Sequence, residues 1–130
     1  MNNEIGARFF KYFTVPYQKL FSTAVCTEIM DVDTLKKKLI GKLDFVLLDV
    51  REEDELHHGT IPGSVNIPAS KLALEWQQAL DKNRGYIIYC RSGTRSRLIV
   101  NFLNRQGFHT EDLEGGILAW GKFDKSIEPY

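Results

Sequence analysis

The residues of this chain best suited to covalent chemistry lie in one short loop, Cys90-Arg91-Ser92-Gly93-Thr94-Arg95-Ser96. A thiol attacks only as its thiolate, so its surroundings decide whether it reacts. Before the loop runs Tyr86-Ile87-Ile88-Tyr89, a strand pattern, and after it Arg97, Leu98, Ile99, Phe102 and Leu103 recur at helical spacing. A strand, a loop and a helix therefore meet at Cys90. At such a junction the backbone N–H groups of the loop and first helical turn converge on the sulfur and favour its anion. Helix N-termini and neighbouring arginines bring cysteine pKa values to roughly 3.5–7.5. A lone cysteine in a soluble chain more often packs as a small hydrophobe. Gly93, which permits a positive φ, and the cations Arg91 and Arg95 turn the balance toward a reactive or anion-binding thiol. Ser92, Thr94 and Ser96 offer further hydrogen bonds, although loop and cap chemistry alone would also select them.

The rest of the chain has to deliver that loop. Val25 to Met30 reads as a short strand, and Asp31 or Asp33 as the cap of a helix through Leu35, Leu39 and Ile40 that ends at Gly41. Phe45 to Leu48 has the bulky apolar character of a strand buried on both faces. It places Asp49, Val50 and Arg51 at the carboxyl edge of the sheet, where ligands bind in open α/β folds. Glu52, Glu53, Asp54 and Glu55 read as the start of a short helix, most of them solvated. The turn Gly59 to Ser64 leads to the short strand Val65 to Pro68. Leu72, Ala73, Trp76 and Leu80 mark a helix with Ser70 as its expected cap. The helix after Cys90 stops at Gly107, Phe108 to Leu113 forms a last strand, and Gly115-Gly116 opens a final helix. This alternation predicts a three-layer α/β/α domain with a mostly parallel central sheet.

With 130 residues, the chain is expected to form one domain with a sizeable core. Its 17 basic and 17 acidic residues leave no basic field for nucleic acid, so attraction for anions must be local. Two cysteines, Cys26 and Cys90, are too few for a disulfide scaffold and fit a reducing, cytoplasmic compartment. No apolar run reaches the length of a membrane span. Cys26, Cys90, His57, His58 and His109 show no paired ligand spacing, so neither metal nor cofactor is expected. Residues 1–24 form an aromatic and basic extension, with Phe9, Phe10, Tyr12, Phe13, Tyr17 and Phe21 beside Arg8, Lys11 and Lys19. Pro16 interrupts its helical stripe. Docking on the domain itself, a dimer contact, a membrane-surface anchor and an organellar targeting segment all fit it. Residues 124–130 read as a C-terminal tail.

Taken together, residues 25–123 resemble the rhodanese family of sulfurtransferases in its single-domain form. Four motifs carry the likeness in order: Leu47-Leu48-Asp49-Val50-Arg51, Gly59-Thr60-Ile61-Pro62-Gly63-Ser64-Val65-Asn66-Ile67-Pro68, Cys90 to Ser96, and Gly115-Gly116-Ile117-Leu118-Ala119-Trp120. The resemblance implies that Cys90 takes a sulfane sulfur from a donor such as thiosulfate. It would hold it as a persulfide and pass it to cyanide, a thiol or a protein acceptor. In that setting Arg91 and Arg95 bind an anionic donor, with Asp49 and Arg51 supporting the loop. Arg95 has an equally good structural alternative, pairing with Asp49. Asp49 is a poor candidate for a general base, because a thiolate formed at a helix end needs none.

Thr60 stands where the family often has histidine, at a position that looks like scaffold. Related phosphatases and arsenate reductases wrap an oxyanion in a Cys-x5-Arg loop. Here the sixth position after Cys90 is Ser96, Arg97 comes one place too late, and Tyr89 occupies the usual histidine position. A non-catalytic or sulfur-carrying interaction module is the remaining alternative, although Cys90 is retained.

Overall fold

The computed structural model describes residues 28–130. The aromatic extension and Cys26 lie outside the described residues. In chain order the elements are β1 (Ile29–Met30), α1 (Val32–Ile40), β2 (Val46–Asp49), a 3-10 turn (Glu53–His58), β3 (Val65–Asn66) and α2 (Ala69–Ala79). Then follow β4 (Gly85–Tyr89), α3 (Thr94–Arg105), β5 (His109–Leu113) and α4 (Gly116–Gly121).

The strands form one parallel sheet in the order β1-β5-β4-β2-β3. Parallel strands need crossovers, and helices supply them on both faces, so the central strands must be apolar on both sides. Alternation along β4 divides its residues accordingly. Ile87 and Tyr89 pack with Leu35, Leu47, Leu113, Ile117 and Trp120 on one face. Tyr86, Ile88 and Cys90 pack with Leu48, Val50, Leu72, Val100 and Leu103 on the other. The expected α/β/α layering with a parallel sheet is the observed one.

Topology also locates the site. β2 and β4 are neighbours, with Asp49 opposite Tyr89. The chain leaving β2 moves outward to β3, whereas the chain leaving β4 crosses to β5 on the other side. Two adjacent strands whose connections diverge leave a crevice at their carboxyl ends, the topological switch point of an open sheet. Asp49 and Cys90 both stand there.

Several local expectations changed. Asp31 does cap α1, accepting from the Thr34 amide at 2.8 Å, but Gly41 is right-handed (φ −74) and Lys42 takes the positive φ of 53. Ser70 is not the cap of α2. The helix opens two residues earlier, at Ala69 with Pro68 as its N-cap, and the Ser70 hydroxyl instead donates to Glu52 at 2.8 Å. Gly107 ends α3 with a positive φ of 95, as expected.

The Gly115-Gly116 pair does more than turn the chain. It brings the start of α4 against the Cys90 loop, where the Ile117 and Leu118 amides donate to the Cys90 and Arg91 carbonyls at 2.9 and 3.1 Å. A Cβ on Gly116 would lie 2.4 Å from the Cys90 oxygen and 2.5 Å from that of Arg91, at a φ of +56. Gly116→Ala is therefore expected to cost about 1–3 kcal/mol of stability and to displace the loop. Chemical denaturation together with the rate of Cys90 alkylation would register both effects.

Candidate active site

Cys90 is almost completely buried, at 1% exposure, yet its sulfur is not surrounded by hydrocarbon alone. The Gly93 amide points at Sγ from 3.1 Å and the Ser96 amide from 3.4 Å, and the Ser96 hydroxyl lies 3.3 Å away. Gly93 makes this possible by adopting a left-handed conformation at φ 107, which folds the loop back over the sulfur before α3 begins. Two amides at the head of a 12-residue helix thus face the thiol, as the strand-loop-helix pattern predicts. They are the groups that would hold negative charge on this sulfur or on one bonded to it.

The two loop arginines have different surroundings. Arg95 makes a bidentate pair with Glu55, at 2.6 and 2.9 Å. The alternative in which it pairs with Asp49 is not what the structure shows. Asp49 is engaged by Arg51 through Nε and Nη2, the latter at 2.8 Å, with both side chains buried. Geometry explains the exchange. Arg51 follows Asp49 by two residues at the end of β2 and folds back onto it, whereas the 3-10 turn raises Glu55 to meet Arg95 across the crevice. Arg91 is half-buried, with its guanidinium carbon 4.9 Å from the centroid of the Tyr130 ring and no hydrogen bond to its Nε among the described residues. Ser92 and Thr94 are exposed on the outside of the loop.

Glu55 departs from the reading of its acidic run as mostly solvated surface. Glu53 and Asp54 are exposed, but Glu55 is part-buried and closes a capping box by accepting from the Glu52 amide at 2.9 Å. The Arg95 guanidinium, with further help from the Tyr130 hydroxyl, holds its pKa down at about 2, against a partial burial that pushes the other way. A carboxylate depressed on folding stabilises the fold above its ordinary range near 4.5, and that contribution is lost as pH falls toward about 2. Glu55→Gln should therefore flatten the loss of stability between about pH 5 and pH 2. Urea midpoints measured across that range would show it. A variant as acid-sensitive as the parent would mean that the pair contributes little.

Three contributors to the site escape a purely local reading. Tyr89 is fully buried and its hydroxyl binds the Ile61 amide at 3.1 Å and the Ser64 hydroxyl at 3.0 Å, fixing the Gly59–Ser64 turn. Burial and the nearby Asp49 charge raise its pKa, so it remains a phenol. Tyr130 links both ion pairs, with Arg51 Nη1 at 3.2 Å and Glu55 at 3.1 Å, and it stacks on His58. The segment carrying it packs on the domain through Ile127, which is 8% exposed, and through the Glu128 amide bonded to His58 oxygen. The third is Asp112 on β5, fully buried, which accepts the Ser96 hydroxyl hydrogen bond behind Cys90. No sequence pattern flagged it, because His109-Thr-Glu-Asp-Leu reads as an ordinary polar strand end.

The fold and site together describe an α/β protein with a buried, amide-facing cysteine at the sheet's switch point. A family model for the rhodanese-like domain matches residues 31–123, and the chain belongs to that family. It is similar to YtwF of Bacillus subtilis, 40% identical over 95 residues that cover 72% of this chain and 91% of that one. It is also similar to a protein of Allochromatium vinosum named sulfurtransferase, 33% identical over 94 residues, 72% of this chain and 87% of that one. The crystal structure of a rhodanese-related protein from Thermoplasma volcanium superposes with a TM-score of 0.66 at 33% identity, covering 78% of this chain and 95% of that one. Among the described residues, no helix is long and apolar enough to cross a membrane.

Proposed function

We propose that this protein is a rhodanese-type sulfurtransferase in which Cys90 accepts a sulfane sulfur from an anionic donor such as thiosulfate. A thiophilic acceptor, whether cyanide, a thiol or a protein, then removes it. The observation that carries this reading is the pair of loop amides, Gly93 and Ser96, aimed at Sγ. The Cys90 thiolate attacks the sulfane sulfur, the Sγ–S bond forms, and the donor's S–S bond breaks with its electron pair leaving on sulfite. The terminal sulfur of the resulting persulfide carries negative charge beside those N–H groups. Arg91 draws the anionic donor, since an aromatic ring covers one face of its guanidinium and no carboxylate pairs with it among the described residues. Arg95, already neutralised by Glu55, steadies the loop and adds a weaker pull.

A phosphatase reading fits less well, because Ser96 holds the required position and the arginines on either side of it are turned elsewhere, Arg95 to Glu55 and Arg97 back to Asp112 at 3.7 Å. The test is intact-mass spectrometry after thiosulfate treatment. The protein should gain one sulfur, about 32 Da, and lose it on adding cyanide or a thiol. If no sulfur donor adds mass, or if the added sulfur maps to Cys26, the reading is wrong.

A further inference from the structure

Behind the reactive cysteine lies a carboxylate that the sulfur-transfer scheme leaves unused. Asp112, next to the last residue of β5, has no exposed surface. One oxygen accepts the Ser96 hydroxyl, and the other is buried with no hydrogen-bond partner among the described residues. That second oxygen sits beneath the loop, 3.8 Å from where a Cβ on Gly93 would be. Its cationic neighbour is Arg97 of α3, whose Nε is 3.7 Å away and whose side chain is half exposed. Glu114, just past β5, adds a like charge, and Cys90 faces the cluster from the end of β4. Burial raises the Asp112 pKa, opposed by the Ser96 hydrogen bond and the Arg97 charge.

Hydrogen-bond direction gives this cluster a sense. Ser96 has one hydroxyl hydrogen, and Asp112 takes it. In the contact between Ser96 Oγ and Cys90 Sγ, the hydrogen must therefore come from the thiol. A thiol proton thus has a continuous path, from Sγ to Ser96 and from Ser96 to Asp112, that never meets solvent. Reversing every donor along the path gives the other state, with a neutral Asp112, a Ser96 hydroxyl pointing at sulfur, and a thiolate held by the Gly93 and Ser96 amides.

We propose that Asp112, acting through Ser96, is a positioning residue that stores the Cys90 proton and returns it to Sγ when the persulfide is discharged. This deepens the sulfurtransferase reading and rests on it for the second half of the cycle. During loading, one proton moves from Sγ to Asp112, and the thiolate attacks the donor. During discharge, the acceptor bonds to the outer sulfur, the Sγ–S bond breaks, its electron pair returns to Sγ, and the stored proton follows through Ser96. No proton is gained or lost by the site over a full turn. The path reaches only the inner sulfur, so it assists the leaving group of discharge and does nothing for the acceptor.

Two measurements test this. The first needs no sulfur donor: the pH profile of Cys90 alkylation by iodoacetamide. Sharing one proton between two coupled groups gives the parent a two-step rise. Asp112→Asn, nearly isosteric, should give a single step completed at lower pH, because the thiolate no longer competes with a neighbouring anion. Superposable profiles would overturn the proposal whether or not the protein transfers sulfur. The second separates loading by thiosulfate from discharge by a thiol, each followed by intact mass. Because its thiolate forms at lower pH without needing the carboxylate as acceptor, Asp112→Asn should load no more slowly than the parent, whereas discharge, which needs the stored proton, should slow about 10²-fold. Ser96→Ala should slow discharge similarly, and the double variant no further, since the two act as one unit. Thermal unfolding of each variant reports on folding, and equal losses in both half-reactions would mark Asp112 as structural and refute the store. A parent that never loads would refute sulfur transfer itself, leaving the alkylation profiles to decide on Asp112.

Discussion

Cys90→Ser is expected to abolish persulfide formation while leaving the protein folded. Serine oxygen is a far weaker nucleophile than a thiolate toward divalent sulfur, and a hydroxyl cannot ionise at the pH where a thiol does. The cost to the fold is small, because the side chain is of similar size and its new hydroxyl finds the Gly93 amide and Ser96 already in place. After thiosulfate treatment the variant should show no added sulfur by mass, against one per chain for the parent, a loss beyond the roughly 10²–10⁴-fold range of acid–base effects. Cys26→Ser should load like the parent. If Cys90→Ser loads and Cys26→Ser does not, the nucleophile has been misassigned. Unchanged urea midpoints for both variants would show that the loss is chemical and not structural.

What was legible in the sequence divides along a physical line. The strand, loop and helix around Cys90 are encoded by near neighbours: apolar residues before it, a glycine able to take positive φ, then helical spacing. All three appear as read, down to the left-handed Gly93. The Gly115-Gly116 opening of the last helix was legible for the same reason. Partners brought together by the sheet were not. Glu55 lies 40 residues from Arg95 within a run of four acids, and nothing local separates it from its exposed neighbours. The sequence leaves Arg95 open between substrate and Asp49, because Asp49 ends β2 and Glu55 lies only six residues beyond it. Only the position of the 3-10 turn decides between them. Asp112 was missed because burial of a strand-end carboxylate depends on α3 and the loop closing over it, a tertiary event with no periodic signature. Ser70 misleads through propensity: a serine just before residues at helical spacing suggests a cap, but Glu52 captures its hydroxyl.

The buried ion pair ties these parts into one mechanical unit, and its removal should have the largest effect on stability. Arg51 is fully buried. It donates to Asp49 through Nε and Nη2, to the Gly59 carbonyl at 2.7 Å, to the Glu55 carbonyl at 3.4 Å and to the Tyr130 hydroxyl at 3.2 Å. Burial alone would lower the Arg51 pKa, but the hydrogen bonds and charges of Asp49 and Tyr130 outweigh it, so the guanidinium stays charged. Arg51→Met removes the cation and leaves the Asp49 carboxyl unpaired in a sealed site, a loss of about 3–5 kcal/mol out of the 5–15 typical of a domain. Adding Asp49→Leu should recover part of it, since the stranded charge is gone. Recovery is incomplete because the Gly59 and Glu55 carbonyls still lack their donor. The consequence reaches the cysteine. Arg51 holds both ends of the 3-10 turn, the turn presents Glu55, and Glu55 fixes Arg95 beside the Cys90 loop. Sulfur loading should therefore fall in both variants, while stability recovers only in the double one. Urea titration of the single and double variants, paired with the intact-mass assay, separates the two. A shift below about 1 kcal/mol for Arg51→Met would place the pair among those that add nothing measurable, and the turn would need another anchor.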